Sequence, residues 1–240
     1  MENIVIIPTY NEIKNVATMI ETVLAIKEAN FDILIIDDGS PDGTAKVVRE
    51  KMAEHEGRVW LVEREGKLGL GSAYIAGFKW ALEREYQYIY EMDCDFSHNP
   101  QDLVGLYEMA KSGSDVAVGS RYIKGVNVVN WPMSRLLLSY FASAYVRMVT
   151  RMKVMDATAG FVCYNRKVLE TIDLERVQMQ GYGFQIEMKY SSIKLGFKLS
   201  EYSIIFTERR EGESKMSGGI FGEALWGVMM LPFRNIKGRC

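Results

Sequence analysis

Cysteine is scarce: Cys94, Cys163 and Cys240 are the only three in 240 residues, far apart and odd in number. That spacing writes neither a disulfide framework nor a CxxC zinc site, and it suits a reducing compartment. Histidine is scarcer still, with only His55 and His98, too few and too separated for a metal cluster or a Ser-His-Asp triad. Positive charge is not in excess either. Lys and Arg number 29 against 31 Asp and Glu, a formal net charge of −2, which excludes a general nucleic-acid binder because phosphate-backbone affinity needs a basic face. No stretch reaches the roughly 18–20 apolar residues of a spanning helix. The first residues run into an apolar strand-like stretch at 4–7, with no charged n-region, long hydrophobic segment or small-residue cleavage site. The expectation is a cytoplasmic chain without a spanning helix.

What is present is ample apolar material. A hydrophobic share of 48% with 25% charged residues can bury a sizeable core, and 1–240 is expected to form one α/β domain. Short β-branched runs alternate with helical periodicity: strands near 4–7, 31–36, 59–62, 86–92 and 116–118, helices near 13–28, 44–56, 71–84 and 101–112. This rhythm predicts a mostly parallel sheet flanked by helices, whose ligands gather at the carboxyl ends of the strands. The second half is less regular, with a long helix after Trp131-Pro132, a turn at Ala159-Gly160, a helix near 183–195 and a strand near 202–206. Two stretches, 131–152 and 220–233, are apolar, aromatic-rich and bounded or interrupted by Arg and Lys, the composition of segments that lie in a membrane interface.

Four polar or glycine-rich loops follow the strands. Asp93-Cys94-Asp95 sets two carboxylates one residue apart, and both can approach one divalent cation with its preference for hard oxygen; acidic pairs also form turns and cap helices. Asp37-Asp38-Gly39-Ser40-Pro41-Asp42-Gly43-Thr44 reads as a tight turn into a helix capped by Ser40 or Asp42, though a turn does not readily account for two consecutive carboxylates, which can bond a base and ribose. Gly66-Lys67-Leu68-Gly69-Leu70-Gly71 suits close backbone approach to a phosphate at a helix N-terminus, but it is neither GxGxxG nor a Walker loop. Pro8-Thr9-Tyr10-Asn11-Glu12 stands where a nicotinamide-dependent oxidoreductase would carry GxGxxG. Farther on, Arg209-Arg210-Glu211-Gly212-Glu213-Ser214-Lys215 is either a solvated charge run or a cationic loop able to steady a leaving diphosphate. Arg147 and Arg151 read as snorkelling surface cations; Arg121 and Arg135 bracket the start of the 131–152 segment, where a lipid phosphate would sit.

In order along the chain, these stretches resemble family 2 glycosyltransferases of the GT-A fold, a Rossmann-like, nucleotide-sugar-binding fold. Asp93-Cys94-Asp95-Phe96-Ser97-His98, Gly119-Ser120-Arg121-Tyr122, Asp156-Ala157-Thr158-Ala159-Gly160-Phe161, Gly181-Tyr182-Gly183-Phe184-Gln185 and the 209–216 loop place the resemblance in the polyprenyl-phosphate branch, the dolichol-phosphate mannose synthases. The resemblance implies that Pro8, Tyr10, Glu12, Ile36, Asp37, Asp38, Lys67, Gly69, Asp93 and Cys94 hold the nucleotide-sugar, GDP-mannose being favoured. It implies that Asp93, Asp95 and Ser97 hold Mg2+ or Mn2+, the short serine through water. It assigns Arg121, Arg135, Ser139, Ser214 and Lys215 to the acceptor phosphate, a dolichyl or polyprenyl phosphate, and Asp95, Arg121, Arg209 and Lys215 to catalysis. Amphipathic interface helices and peripheral attachment to the cytoplasmic face of a membrane follow. The alternatives are a UDP-glucose-dependent polyprenyl-phosphate glucosyltransferase, a family 2 enzyme with a saccharide acceptor, and a non-catalytic scaffold. Cys94 stands where alanine is more usual, a small change facing away from the cation.

Overall fold

The structure, a computed structural model, describes residues 2–208, 219–236, 238 and 239, with side chains described outside 219–224. Its elements run β1 (Asn3–Thr9), α1 (Val16–Leu24), β2 (Phe31–Asp37), α2 (Thr44–Glu54), β3 (Val59–Glu63), α3 (Leu70–Leu82), β4 (Tyr88–Glu91), α4 (Asp102–Lys111) and β5 (Val116–Ser120). There follow β6 (Val128–Val129), α5 (Met133–Thr150), β7 (Val162–Asn165), α6 (Arg166–Thr171), α7 (Tyr182–Lys194), β8 (Leu199–Ser203), β9 (Phe206–Thr207) and α8 (Gly219–Met230). The first half thus follows the expected alternation, with α1 shorter than expected because a turn from Glu12 to Asn15 precedes it.

Seven strands form one sheet in the order β3-β2-β1-β4-β7-β5-β8. All neighbours are parallel except β7, which runs antiparallel to both β4 and β5. Two reversals restore direction, so β5 points the same way as β4 and its carboxyl end reaches the same rim. Period-two side-chain alternation sends Val5, Ile7, Ile33 and Ile35 into one core layer with α1, α2 and α4. It sends Ile4, Ile6, Leu34 and Ile36 into the other, with α3, α6 and α7. Both faces being covered, β1 and β2 read as unbroken apolar runs. Each fully buried Ile or Leu contributes roughly 1.5–3 kcal/mol of transfer free energy.

Two departures from expectation lie in the second half. β7 is a four-residue strand that periodicity did not mark, too short for a repeat to show. The strand expected near 202–206 is divided: β8 pairs with β5 up to Ser203, then the chain changes partner and β9 pairs with β6 in a separate two-stranded ladder. Ile204 stays buried and still donates its N–H to Ser120, while Ile205 turns outward. The turn predicted at Ala159-Gly160 falls slightly earlier, at Ala157-Thr158.

Helix α3 lies close on β1 because residue 77 lacks a side chain: a Cβ there would meet Ile6 Cγ2 at 2.6 Å. Ile6 is wholly buried and has nowhere to go. Overpacking of about 1–3 kcal/mol then outweighs the ~1 kcal/mol of helix propensity an alanine adds. Gly77→Ala is expected to lower stability by about 1 kcal/mol net, read as a lower urea midpoint at unchanged m-value.

Candidate active site at the strand-end rim

Strand β4 ends at Glu91, and the chain then delivers Asp93 and Asp95 onto the rim. The loop that follows is tightly built. Phe96 takes a positive φ of 60°, Asp95 Oδ1 accepts the Ser97 N–H at 3.0 Å, and Cys94 tucks into the core, facing away as expected. His98, which its isolation in the sequence seemed to disqualify, is brought into the site. Its ring stacks on Phe161 at 4.8 Å and meets Phe206 edge-on, while the Asp93 N–H points at Nδ1 at 3.4 Å. Burial pushes the His98 pKa down to about 4, against the pull of Asp95. The neutral ring therefore carries its proton on Nε2.

Asp93, Asp95, Ser97, His98, Arg121, Trp131 and Arg135 line one cleft that encloses about 620 Å3, open water included. The acidic pair and two of the predicted cations, Arg121 and Arg135, thus line the same cleft. Arg121 is almost fully buried: Nε and Nη2 grip Asp156 at 2.6 and 2.5 Å, Nη2 also reaches Thr158 Oγ1, and the backbone N–H bonds the same carboxylate. Burial alone would raise the Asp156 pKa, but the guanidinium holds it below the usual carboxylate range. Arg135 lies 4.2 Å over the Trp131 ring and turns Nη1 to both Glu208 oxygens, at 2.6 and 2.8 Å. Ser139 accepts a bond from the Tyr122 hydroxyl at 2.8 Å and stands behind the cleft. Arg209, Ser214 and Lys215 lie outside the described residues. Arg147, expected as a snorkelling surface cation, is half-buried and donates to the Met155 carbonyl, and Arg151 is exposed and ends α5 in the left-handed region.

The nucleotide-side residues gather as a laced set of loops after β1, β2 and β3. Asp37 is 1% exposed and accepts from Thr9 Oγ1 and from both the N–H and hydroxyl of Ser40. Asp38 Oδ1 pairs with Arg64 at 2.6 Å. Arg64 in turn bonds Ser72 and the Gly69 carbonyl, joining the third loop to the second. A tight turn therefore explains more of this carboxylate pair than the sequence suggested, and Arg64 is a residue the sequence reading missed. Asp42 Oδ1 receives the Thr44 N–H, which starts α2. Asn11 N–H bonds Ser40 Oγ, Glu12 N–H bonds Thr44 Oγ1 and the Glu12 carboxylate accepts from Asn15. Lys67 Nζ sits 5.4 Å over the Tyr10 ring. Pro8 is half-buried between these loops. Ile36 is fully buried, so only its backbone can face a ligand.

A second network lies beneath the acidic loop. Glu91 and Lys189 are both wholly buried; Gln185 donates to Glu91 at 2.6 Å, and Lys189 donates to the Ala159 carbonyl at 2.6 Å. Burial pushes the Glu91 carboxyl up and the Lys189 ammonium down, each partly offset by the charge of the other. For Glu91 the available sequence signal was a charged residue inside the expected 86–92 strand. Nearby, the Tyr74 hydroxyl is buried without a hydrogen-bond partner; burial and then Asp93 raise its pKa. Asp93 and Asp95 bring two carboxylates to the rim beside it. Their hard oxygens fit a divalent cation. No third His, Cys, Asp or Glu among the described residues joins Asp93 and Asp95 within 4.8 Å.

Residues 4–173 match the family model described as Glycosyl transferase family 2. The chain belongs to this family and is a glycosyltransferase. The polyprenol monophosphomannose synthase of Mycolicibacterium smegmatis is 45% identical over 231 residues, covering 94% of this chain and 86% of that protein. The undecaprenyl-phosphate mannosyltransferase of Micrococcus luteus is 43% identical over 234 residues, covering 95% of each. Among solved structures, glucosyl-3-phosphoglycerate synthase from Mycobacterium tuberculosis with phosphoglyceric acid superposes with a TM-score of 0.71 at 14% identity, over 95% of this chain and 79% of that one. The same enzyme with Mn2+, UDP and glucosyl-3-phosphoglycerate gives a TM-score of 0.67 at 15% identity, over 96% and 78%. These distant likenesses show the GT-A fold.

Removing one partner of a buried ion pair strands the other charge. Asp156→Asn is expected to cost about 3–5 kcal/mol in urea unfolding. Because the Asp156 pKa is depressed in the folded state, its contribution is present above the usual carboxylate range and is lost as pH falls through the folded value. The Asn variant should therefore lose stability less steeply in acid than the wild type. Asp93→Asn and Asp95→Asn should each weaken Mn2+ binding by about tenfold or more, measured by electron paramagnetic resonance titration, with unchanged circular dichroism.

Proposed function

We propose that this enzyme transfers a mannosyl group, with inversion, from GDP-mannose to a polyprenyl phosphate at the cytoplasmic face of a membrane. One observation carries the reading: Asp93, Asp95, Arg121 and Arg135 line one cleft, and Arg135 belongs to α5, which exposes large apolar side chains. The two mannosyltransferase relatives, named for polyprenyl-type phosphate products or acceptors, support it. A saccharide acceptor would need neither feature.

The apolar surface has a continuous stripe. On α5, Met133, Leu137 and Phe141 recur at helical spacing and are exposed by 66%, 47% and 62%. Tyr145 joins α5 to α8 through the Leu225 carbonyl, and Trp226, Met229 and Phe233 extend the patch, Phe233 being 82% exposed. No helix among the described residues is long and apolar enough to cross a membrane. The 131–152 and 220–233 segments would instead rest in the interface and deliver the lipid phosphate to the arginines.

In this reading the loops after β1, β2 and β3 hold the nucleotide: Tyr10, Glu12, Lys67 and Gly69, with Asp38 offering the oxygen that Arg64 leaves. Asp93 and Asp95, with Ser97, would hold Mg2+ or Mn2+, which when bound neutralises charge on the leaving diphosphate. The acceptor is a phosphate monoester with its second pKa near ~6, so it arrives ionised and needs no strong base to attack the anomeric carbon. Neutral His98, accepting a backbone N–H at Nδ1, is consistent with that economy. Arg121 keeps its charge at every accessible pH and its direction is fixed by Asp156; it presents oriented donors in a low-dielectric wall. Arg135 exchanges Glu208 for the incoming phosphate. Arg209, Ser214 and Lys215 would close over the donor diphosphate and the acceptor.

A donor-by-acceptor matrix tests this. Mannolipid should form from GDP-mannose and polyprenyl phosphate, with far less product from UDP-glucose and none from free polyprenol; preferred glucose transfer, or transfer to a saccharide, would overturn the assignment. Arg135→Ala should raise KM for the lipid phosphate about tenfold or more and leave KM for the donor nearly unchanged. The double variant Phe141→Glu, Phe233→Glu should sediment less with phospholipid vesicles than the wild type while keeping its circular dichroism.

A further inference from the structure

Trp131 stands between the two arginines assigned to the acceptor. Its ring centroid is 4.2 Å from the Arg135 guanidinium carbon and 5.5 Å from that of Arg121, and Phe206 meets it edge-on at 5.3 Å. The ring lines the cleft, yet its indole N–H is buried and has no acceptor among the described residues. A buried donor left unpaired is destabilising, and such donors are rare enough to demand a reason. The neighbourhood supplies one. An N–H beside two guanidiniums lies in a positive field, where the fitting partner is an anion. Asp156 and Glu208 are engaged by the arginines, and neither accepts from the indole.

We propose that the Trp131 indole N–H donates directly to an oxygen of the acceptor phosphate, making Trp131 a positioning residue for the attacking group. The inference rests on the reading of the acceptor as a lipid phosphate and adds the element that orients it. The two guanidiniums carry charge, but Arg121 is held by Asp156 and Arg135 engages its anion through one nitrogen. A single N–H, on a ring packed against Arg121, Arg135 and Phe206, fixes which phosphate oxygen points toward the sugar. Because the N–H is already stripped of water, binding an anion costs no further desolvation of this donor. The indole also shields the two cations from solvent and from each other.

The test uses the full-length enzyme with ¹⁵N-indole tryptophan in detergent micelles and farnesyl phosphate as the probe, the Trp131 signal being assigned by single Trp→Phe substitutions at 60, 80, 131 and 226. Saturation with farnesyl phosphate should move the Trp131 indole proton downfield, and neither farnesol nor GDP should do so. Trp131→Phe keeps the ring and removes only the N–H; it should raise KM for farnesyl phosphate about tenfold while KM for GDP-mannose stays within twofold and thermal stability is not lowered. A Trp131 signal that ignores farnesyl phosphate, or that answers to GDP instead, overturns the proposal, as does an unchanged acceptor KM. Turnover of farnesyl phosphate by the wild type tests the acceptor reading separately: if that fails, the proposal falls with it, whereas normal wild-type turnover with a silent Trp131 removes the proposal alone. Should Trp131→Phe not fold, the wild-type spectrum, assigned from the other three variants, still decides.

Discussion

The bond between Arg121 and Asp156 ties the site together. Both side chains are taken out of water, and each would be intolerable there alone; together they satisfy one another through two side-chain bonds and a backbone N–H. The pair stitches the carboxyl end of β5 to the loop before β7, and that loop supplies Thr158, Ala159 and Gly160 to the cleft. Lys189 fastens the same loop from below through the Ala159 carbonyl. A wall made this way holds its cation at a fixed angle whatever the ligand does, which is the condition for electrostatic preorganisation.

The opposite wall is assembled by the same logic with the sign reversed. Carboxylates that would repel one another are kept close because the loop from 93 to 98 is stiff: a left-handed Phe96, a Ser97 N–H turned to Asp95, and a neutral imidazole pressed between two aromatic rings. Glycosyl transfer to an anionic acceptor is mainly a problem of bringing like charges together. Here the protein divides that problem between a wall that gathers cations and one that gathers carboxylates.

Much of this was legible in the chain and some was not, for identifiable reasons. The parallel half could be read because β1 and β2 are buried on both faces, and their apolar runs are bounded by Gly, Asp and Pro. Asp93 and Asp95 could be read because paired carboxylates past an apolar strand have few uses. Asp37 was harder: its partners are Thr9 and Ser40, one of them 28 residues away, so its part in anchoring the turn could not be read from spacing. His98 was discounted as solitary, since its environment comes from Phe161 and Phe206, which spacing does not bring near. The break between β8 and β9 escaped because Ile204 and Ile205 sit at the joint, so that 202–206 read as one strand although the ladder partner changes within it. The buried Glu91 and Lys189 went unmarked, because the partners that accompany them, Gln185 and the Ala159 carbonyl, are brought near only by the fold.

The reversed strand β7 has a geometric effect on the reaction. Neighbouring strands in a sheet lie about 4.8 Å apart, so inserting one between the acid-bearing β4 and the arginine-bearing β5 separates their ends by roughly 9–10 Å. Directly adjacent strands would let the carboxylates and guanidiniums collapse onto each other and fill the gap with their own salt bridges. With the reversed strand as a spacer the two ends stay apart, and the loop leading into β7 brings Thr158, Ala159 and Gly160 into the cleft. Sheet topology thus acts as a ruler that keeps acid and base from meeting.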